Sequence, residues 1–196
     1  MNREQVVELL YQALETEIGG QLVYEKAIEC AVNTDLKEEW EKYLAETREH
    51  EQILLGVLPA FGLDPAKDTP GRQLLRETAA FLVKSMNAAR ASSPVAGQLV
   101  AAESVVTAEV KDHQNWELMG RLVEKLTGDE KKTLKEAWSQ VEEQEDMHLY
   151  HTMGWTRELW IETLGMPAVL PPPEEEKKVV SAIGASRAMQ QREEML

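Results

Sequence analysis

Residues 134–159 read LKEAWSQVEEQEDMHLYHTMGWTREL, and one set of their positions recurs by alternating steps of three and four. Leu134, Trp138, Val141, Thr152, Trp155 and Leu159 lie on that stripe, which marks the inward face of an amphipathic helix. Glu145 and His148 interrupt it at its middle. An unpaired carboxylate is costly to bury, so a Glu in a core stripe requires a cation, a donor network or a raised pKa. Glu145-Asp-Met-His148 is a Glu-x-x-His step, and residues three apart share a helix face about one turn apart, near enough to bind one metal ion or adjacent ions.

Outward from this stretch the chain reads as all-α. Sustained alternation is absent, and Gly and Pro fall between long segments of helical period. A first helix is expected over about 3–32, with Val7, Leu10, Tyr11, Leu14, Ile18, Tyr24, Ile28 and Ala31 along one face. Asp35 with Glu38 predicts the cap of a second helix that stops near Pro59 to Gly62. An apolar helix carrying Leu74, Leu75, Ala79, Phe81, Leu82 and Met86 follows to about Arg90, within a long crossover. Ser93-Pro94 opens a helix over about 94–126, and Asp129 is expected to cap the last one, about 130–164. Two antiparallel hairpins joined by a long crossover differ from a simple up-down bundle, which has short loops throughout. Residues 1–166 are expected to form one helical bundle, and 167–196 a proline-containing linker and a polar, helix-compatible tail.

Other polar residues occupy equivalent inward positions. The second helix brings His50 onto the stripe of Trp40, Tyr43, Thr47, Leu54 and Val57. In the first, Glu17 lies between Leu14 and Gln21. On the fourth, the stripe Ala102, Val106, Glu109, His113, Trp116, Gly120, Val123 carries Glu109 and His113, with Glu103 as the competing carboxylate. A weak repeat emerges, because Tyr24 follows Glu17 by seven residues and Trp116 follows Glu109 by seven. An inward His then comes on the next helix in each half, His50 and His148. Oxygen and imidazole donors without thiolate suit iron or manganese, with zinc as an alternative.

The bulk numbers narrow the function classes. A formal net charge of -14 disfavours nucleic acid and anionic membrane surfaces as partners. Cys30 is the single cysteine, so neither an internal disulfide nor a rubredoxin-type thiolate centre is available in this chain. No basic leader with an apolar run opens the sequence and no apolar stretch reaches spanning length, so a cytoplasmic location is expected.

Over roughly residues 5–160 the sequence resembles the ferritin-like superfamily of ferritins, bacterioferritins and rubrerythrins. Glu17 with Tyr24 is similar to the first ferritin helix, Arg48-Glu49-His50 to the end of the second-helix Glu-x-x-His, and Glu145 to His148 to the fourth-helix motif of rubrerythrins. The resemblance implies a ferritin-like four-helix bundle with an extra crossover helix, and a two-iron site held by Glu17, Glu46, His50, Glu109, Glu145 and His148. Tyr24 and His113 would stand behind those ligands. The sequence departs from the family at Thr47, where the motif has Glu. Glu46 is the nearest substitute, about 40° from His50 around the helix. The function implied is a diiron or dimanganese oxidoreductase that reduces peroxide or dioxygen or oxidises ferrous iron. Such a protein would form a homodimer or higher homo-oligomer and, as a peroxidase, draw on an external electron donor. The alternatives are iron binding or storage without an organic substrate, and a helical scaffold that has lost its metal.

Overall fold

Asn2 opens the first helix by accepting hydrogen bonds from the backbone N–H groups of Glu4 and Gln5, which satisfies two of the donors a helix start leaves free. The computed structural model describes residues 1–176. The helices are α1 (Arg3–Cys30), α2 (Thr34–Val57), α3 (Pro70–Ser92), α4 (Pro94–Val123) and α5 (Gly128–Thr163), followed by a short α6 (Pro173–Glu176). A 3-10 turn, Leu58–Phe61, extends α2 and ends at Gly62, whose φ of 67° is the left-handed conformation that glycine adopts without strain. No strand occurs among the described residues. Of the predicted tail, 177–196 lies outside them.

Two helix caps differ from the sequence expectation. Asn33 caps α2 through a 3.1 Å bond from Leu36 N, so Asp35 falls inside the first turn, where a carboxylate still favours the helix dipole. Asp129 likewise lies in the first turn of α5, behind Thr127 at the cap position. Ser93 ends α3 and caps α4 through its hydroxyl, which lets the two helices meet almost without a loop. Gly97 permits that closeness: a Cβ there would stand 2.9 Å from the Arg90 Cα.

Helices α1, α2, α5 and α4 pack in a ring, each against its two neighbours, and α3 lies outside against α1 and α4. The crossover is fastened by a buried ion pair. Glu15 accepts from Arg72 Nε at 2.7 Å and from Arg76 Nε at 3.1 Å, while Arg72 also donates to the carbonyls of Pro65 and Lys67. Along α3 only Arg72, Ala79 and Met86 are buried. Leu74 and Phe81, expected as inward apolar positions, are exposed because α3 covers the bundle with a narrow face.

The apolar core comes in two halves. One contains Leu10, Leu14, Leu54, Val57, Trp116, Met119, Leu134 and Val141, and the other Val23, Tyr24, Trp40, Tyr43, Val105, Trp155 and Leu159. On every helix of the ring the residues between these halves are the inward polar ones. No described helix is long and apolar enough to cross a membrane.

Candidate metal centre

The polar layer between the two apolar halves contains Glu17 on α1, His50 on α2, Glu109 on α4, and Glu145 and His148 on α5. All five are at most 3% exposed. They form two groups that can hold a metal ion, Glu17–His50–Glu145 and Glu109–Glu145–His148, the donor atoms of each group lying within 4.8 Å of one another. Glu145 belongs to both. Its Oε1 stands 2.9 Å from His50 Nδ1 and 3.7 Å from His148 Nδ1. Glu17 Oε1 is 3.7 Å from His50 Nδ1, and Glu109 Oε2 is 3.7 Å from His148 Nδ1.

Each imidazole is oriented from behind by the opposite helix. His50 Nε2 donates to Gln144 Oε1 of α5 at 2.8 Å, and His148 Nε2 donates to Glu46 Oε2 of α2 at 2.8 Å. Gln144 precedes His148 by four residues and Glu46 precedes His50 by four, so each helix holds the other's histidine from the same register. With Nε2 carrying the hydrogen, the Nδ1 lone pair of each ring points into the centre. Glu17 Oε1 also accepts a 2.9 Å bond from Trp116 Nε1, which leaves Oε2 as its oxygen without a partner.

What remains is a set of acceptors without donors. Glu17 Oε2, Glu109 Oε2, both oxygens of Glu145, and Nδ1 of His50 and of His148 are buried without a hydrogen-bond partner. Such a set is stable only with protons or cations among its lone pairs. The titration behaviour reflects this. Burial, then Asp112 and Glu145, pushes Glu17 well above the usual carboxylate range, and burial, then Glu109, does the same to Glu145. Glu109 is pushed up to about 8 by burial first and by Asp112 second, with Tyr24 pulling the other way. Burial lowers His148 to about 4 against the bond to Glu46, which keeps the ring neutral. The donor chemistry and the orphaned lone pairs both fit a metal cation.

Two sequence candidates lie elsewhere. Glu46 is not brought into the converging set; it sits behind His148 because α2 is rotated so that the position three before His50, Thr47, faces inward instead. Thr47 is buried with its hydroxyl donating to the Tyr43 carbonyl at 2.8 Å. His113 points to the α4–α5 seam and pairs with Asp146 at 2.7 Å. Tyr24 does stand behind the centre, its ring edge-on to Tyr43 and to His148, each with centroids 6.3 Å away.

The sequence reading missed Asp112. It is buried beside Glu17, and burial, then Glu145, raises it well above its ordinary range. The stripe through Val106, His113 and Gly120 is displaced by one residue from the buried one, Val105, Asp112 and Met119. Adjacent valines at 105 and 106 leave that register ambiguous. No protein-family model, no curated protein and no solved structure matches this chain.

Proposed function

We propose that this chain is a ferritin-like non-haem diiron oxidoreductase, or its dimanganese equivalent, that reduces peroxide or dioxygen or oxidises ferrous iron. The observation that carries this is the pair of three-residue groups joined at Glu145. Glu17 and His50 would hold one ion, Glu109 and His148 the other, and Glu145 would serve both. When bound, two irons supply a ferrous–ferric couple at each position, together the two electrons that reduction of peroxide to water consumes.

The chain's own residues set the conditions for that chemistry. The carboxylates favour the more highly charged oxidised ions, and Glu46 and Gln144 fix the imidazoles that anchor them. Two hairpins joined by the α3 crossover support a ferritin-like connectivity. With one cysteine in the chain, a peroxidase of this kind draws electrons from another protein. This reading includes a homodimer or larger assembly.

Anaerobic purification followed by metal analysis tests the centre. Wild-type protein should carry about two irons per chain by analogy with dinuclear carboxylate bundles, and the Glu145→Ala/His148→Ala variant should carry none. A variant that binds as much metal as the wild type sinks the proposal, and a metal-free wild type indifferent to both changes favours the scaffold alternative. Peroxide turnover compared with ferrous oxidation, together with the size of the assembly, separates peroxidase from iron storage.

A further inference from the structure

A cavity of about 300 Å³ opens on the outer seam between α4 and α5. It is lined by His113, Trp116 and Glu117 from α4 and by Glu142, Glu145, Asp146 and Tyr150 from α5. Four of these are carboxylates and none is Lys or Arg. The outer residues repeat at four-residue steps, His113 and Glu117 on one wall, Glu142, Asp146 and Tyr150 on the other, so each helix presents one polar row to the seam. His113 Nε2 meets Asp146 Oδ1 across it at 2.7 Å, with the Tyr150 ring edge-on to the imidazole at 6.1 Å between centroids. Glu117 also faces Arg121 at 3.9 Å.

The inner wall is Glu145. The residue is 1% exposed and lines this cavity, and both its carboxylate oxygens are buried without hydrogen-bond partners. The cavity thus runs from the outer surface to the residue shared by both metal-binding triples, whose buried oxygens close its inner end. Two other cavities do not. The one beside Val6, Leu9 and Leu122 and the one beneath Gly19, Gly20 and Ala79 touch no residue of the converging set, and each includes Lys111, whose charge repels cations.

We propose that the α4–α5 cavity is the vestibule by which a divalent metal ion enters the centre, with Glu142, Asp146 and His113 holding the ion in transit before it reaches Glu145. This rests on the metal centre proposed above. A hydrated divalent ion loses its water at great cost, and donors met in sequence divide that cost into smaller steps. Carboxylate oxygen with imidazole nitrogen is a donor set suited to manganese or ferrous iron. The acidic walls concentrate cations at the mouth and speed their capture.

Stopped-flow uptake of Co(II) by the full-length metal-free protein, followed by its visible absorption, tests the route. The His113→Ala/Glu142→Gln/Asp146→Asn variant should reach the wild-type end point but load about tenfold more slowly at low salt, the usual reach of electrostatic capture. Glu142 is exposed, so Glu142→Lys alone changes the mouth without straining the fold and should slow loading as well. Glu38→Gln/Glu41→Gln, exposed on α2, should load like the wild type. Equal loading rates for all four proteins overturn the vestibule and leave the centre standing. If neither wild type nor variants take up Co(II) tightly, the centre itself is refuted and the route falls with it.

Discussion

His148 turns its Nε2 to the Glu46 carboxylate at 2.8 Å, so the side chain that most resembles a missing ligand on α2 instead aims a candidate ligand on α5. Burial pushes the Glu46 carboxyl up, but the bond from His148, with the nearby Lys42 ammonium, outweighs it and holds Glu46 below its ordinary range, so it stays an ionised acceptor. The histidine is thereby fixed with Nδ1 facing the centre.

Glu46→Ala should therefore weaken metal binding by about 10- to 100-fold while leaving the number of ions per chain unchanged, the usual consequence of removing a group behind a ligand. Co(II) titration with competition by a chelator reads both quantities. Loss of one ion per chain would instead make Glu46 a ligand.

Metal-free protein should lose stability as pH rises from about 5 to about 8, in a thermal or urea melt series. Glu109, raised from 4.5 to about 8, stays protonated in the fold where the unfolded chain has ionised. Its stabilising contribution is complete below 4.5 and gone above about 8, and Glu17, Asp112 and Glu145 shift in the same direction. His148 works oppositely: lowered from 6.5 to about 4, it stabilises above 6.5 and ceases to as pH falls through about 4. Four carboxyls against one imidazole set the net slope. Saturating Mn(II) should remove the alkaline loss, since the cation replaces those protons. A metal-free melt that is flat or rises across this range would refute the burial of these groups.

Glu15→Ala should destabilise the fold by about 3–5 kcal/mol, the cost of leaving a buried charge without its partner. Arg72 is 7% exposed and, among the described residues, loses its one carboxylate partner while keeping two carbonyl acceptors. Urea unfolding gives the value. A change under about 1 kcal/mol, the level of a surface pair, would show that α3 is not fastened here.

Thr47→Glu should add a carboxylate to the inward face of α2 and tighten binding of the second ion. The position is 2% exposed and faces Gly20, where an absent Cβ leaves the Thr47 methyl 3.4 Å from the position it would occupy. Calorimetric titration with Mn(II) checks it. Binding weaker than wild type would mean that the core has no room for a second shared carboxylate.

Helical period alone was sufficient to bring Glu17, His50, Glu109, Glu145 and His148 onto inward faces, because a polar residue inside a three-and-four stripe is visible without any knowledge of neighbours. The hairpins and the crossover were legible for the same reason, marked by Asn33, Ser93-Pro94 and Gly128 between long periodic runs. Where two registers were equally apolar, as at Val105-Val106, period could not choose, and Asp112 was lost to His113. The roles of Glu46 and Gln144 depend on which nitrogen of a histidine on another helix lies within hydrogen-bond reach, and the Glu15–Arg72 pair joins residues 57 apart in the chain. Such contacts are set by the rotation and separation of packed helices, which local periodicity does not encode. Sequence therefore determined which residues must be buried, and the tertiary structure decided which of them face one another and which stand behind.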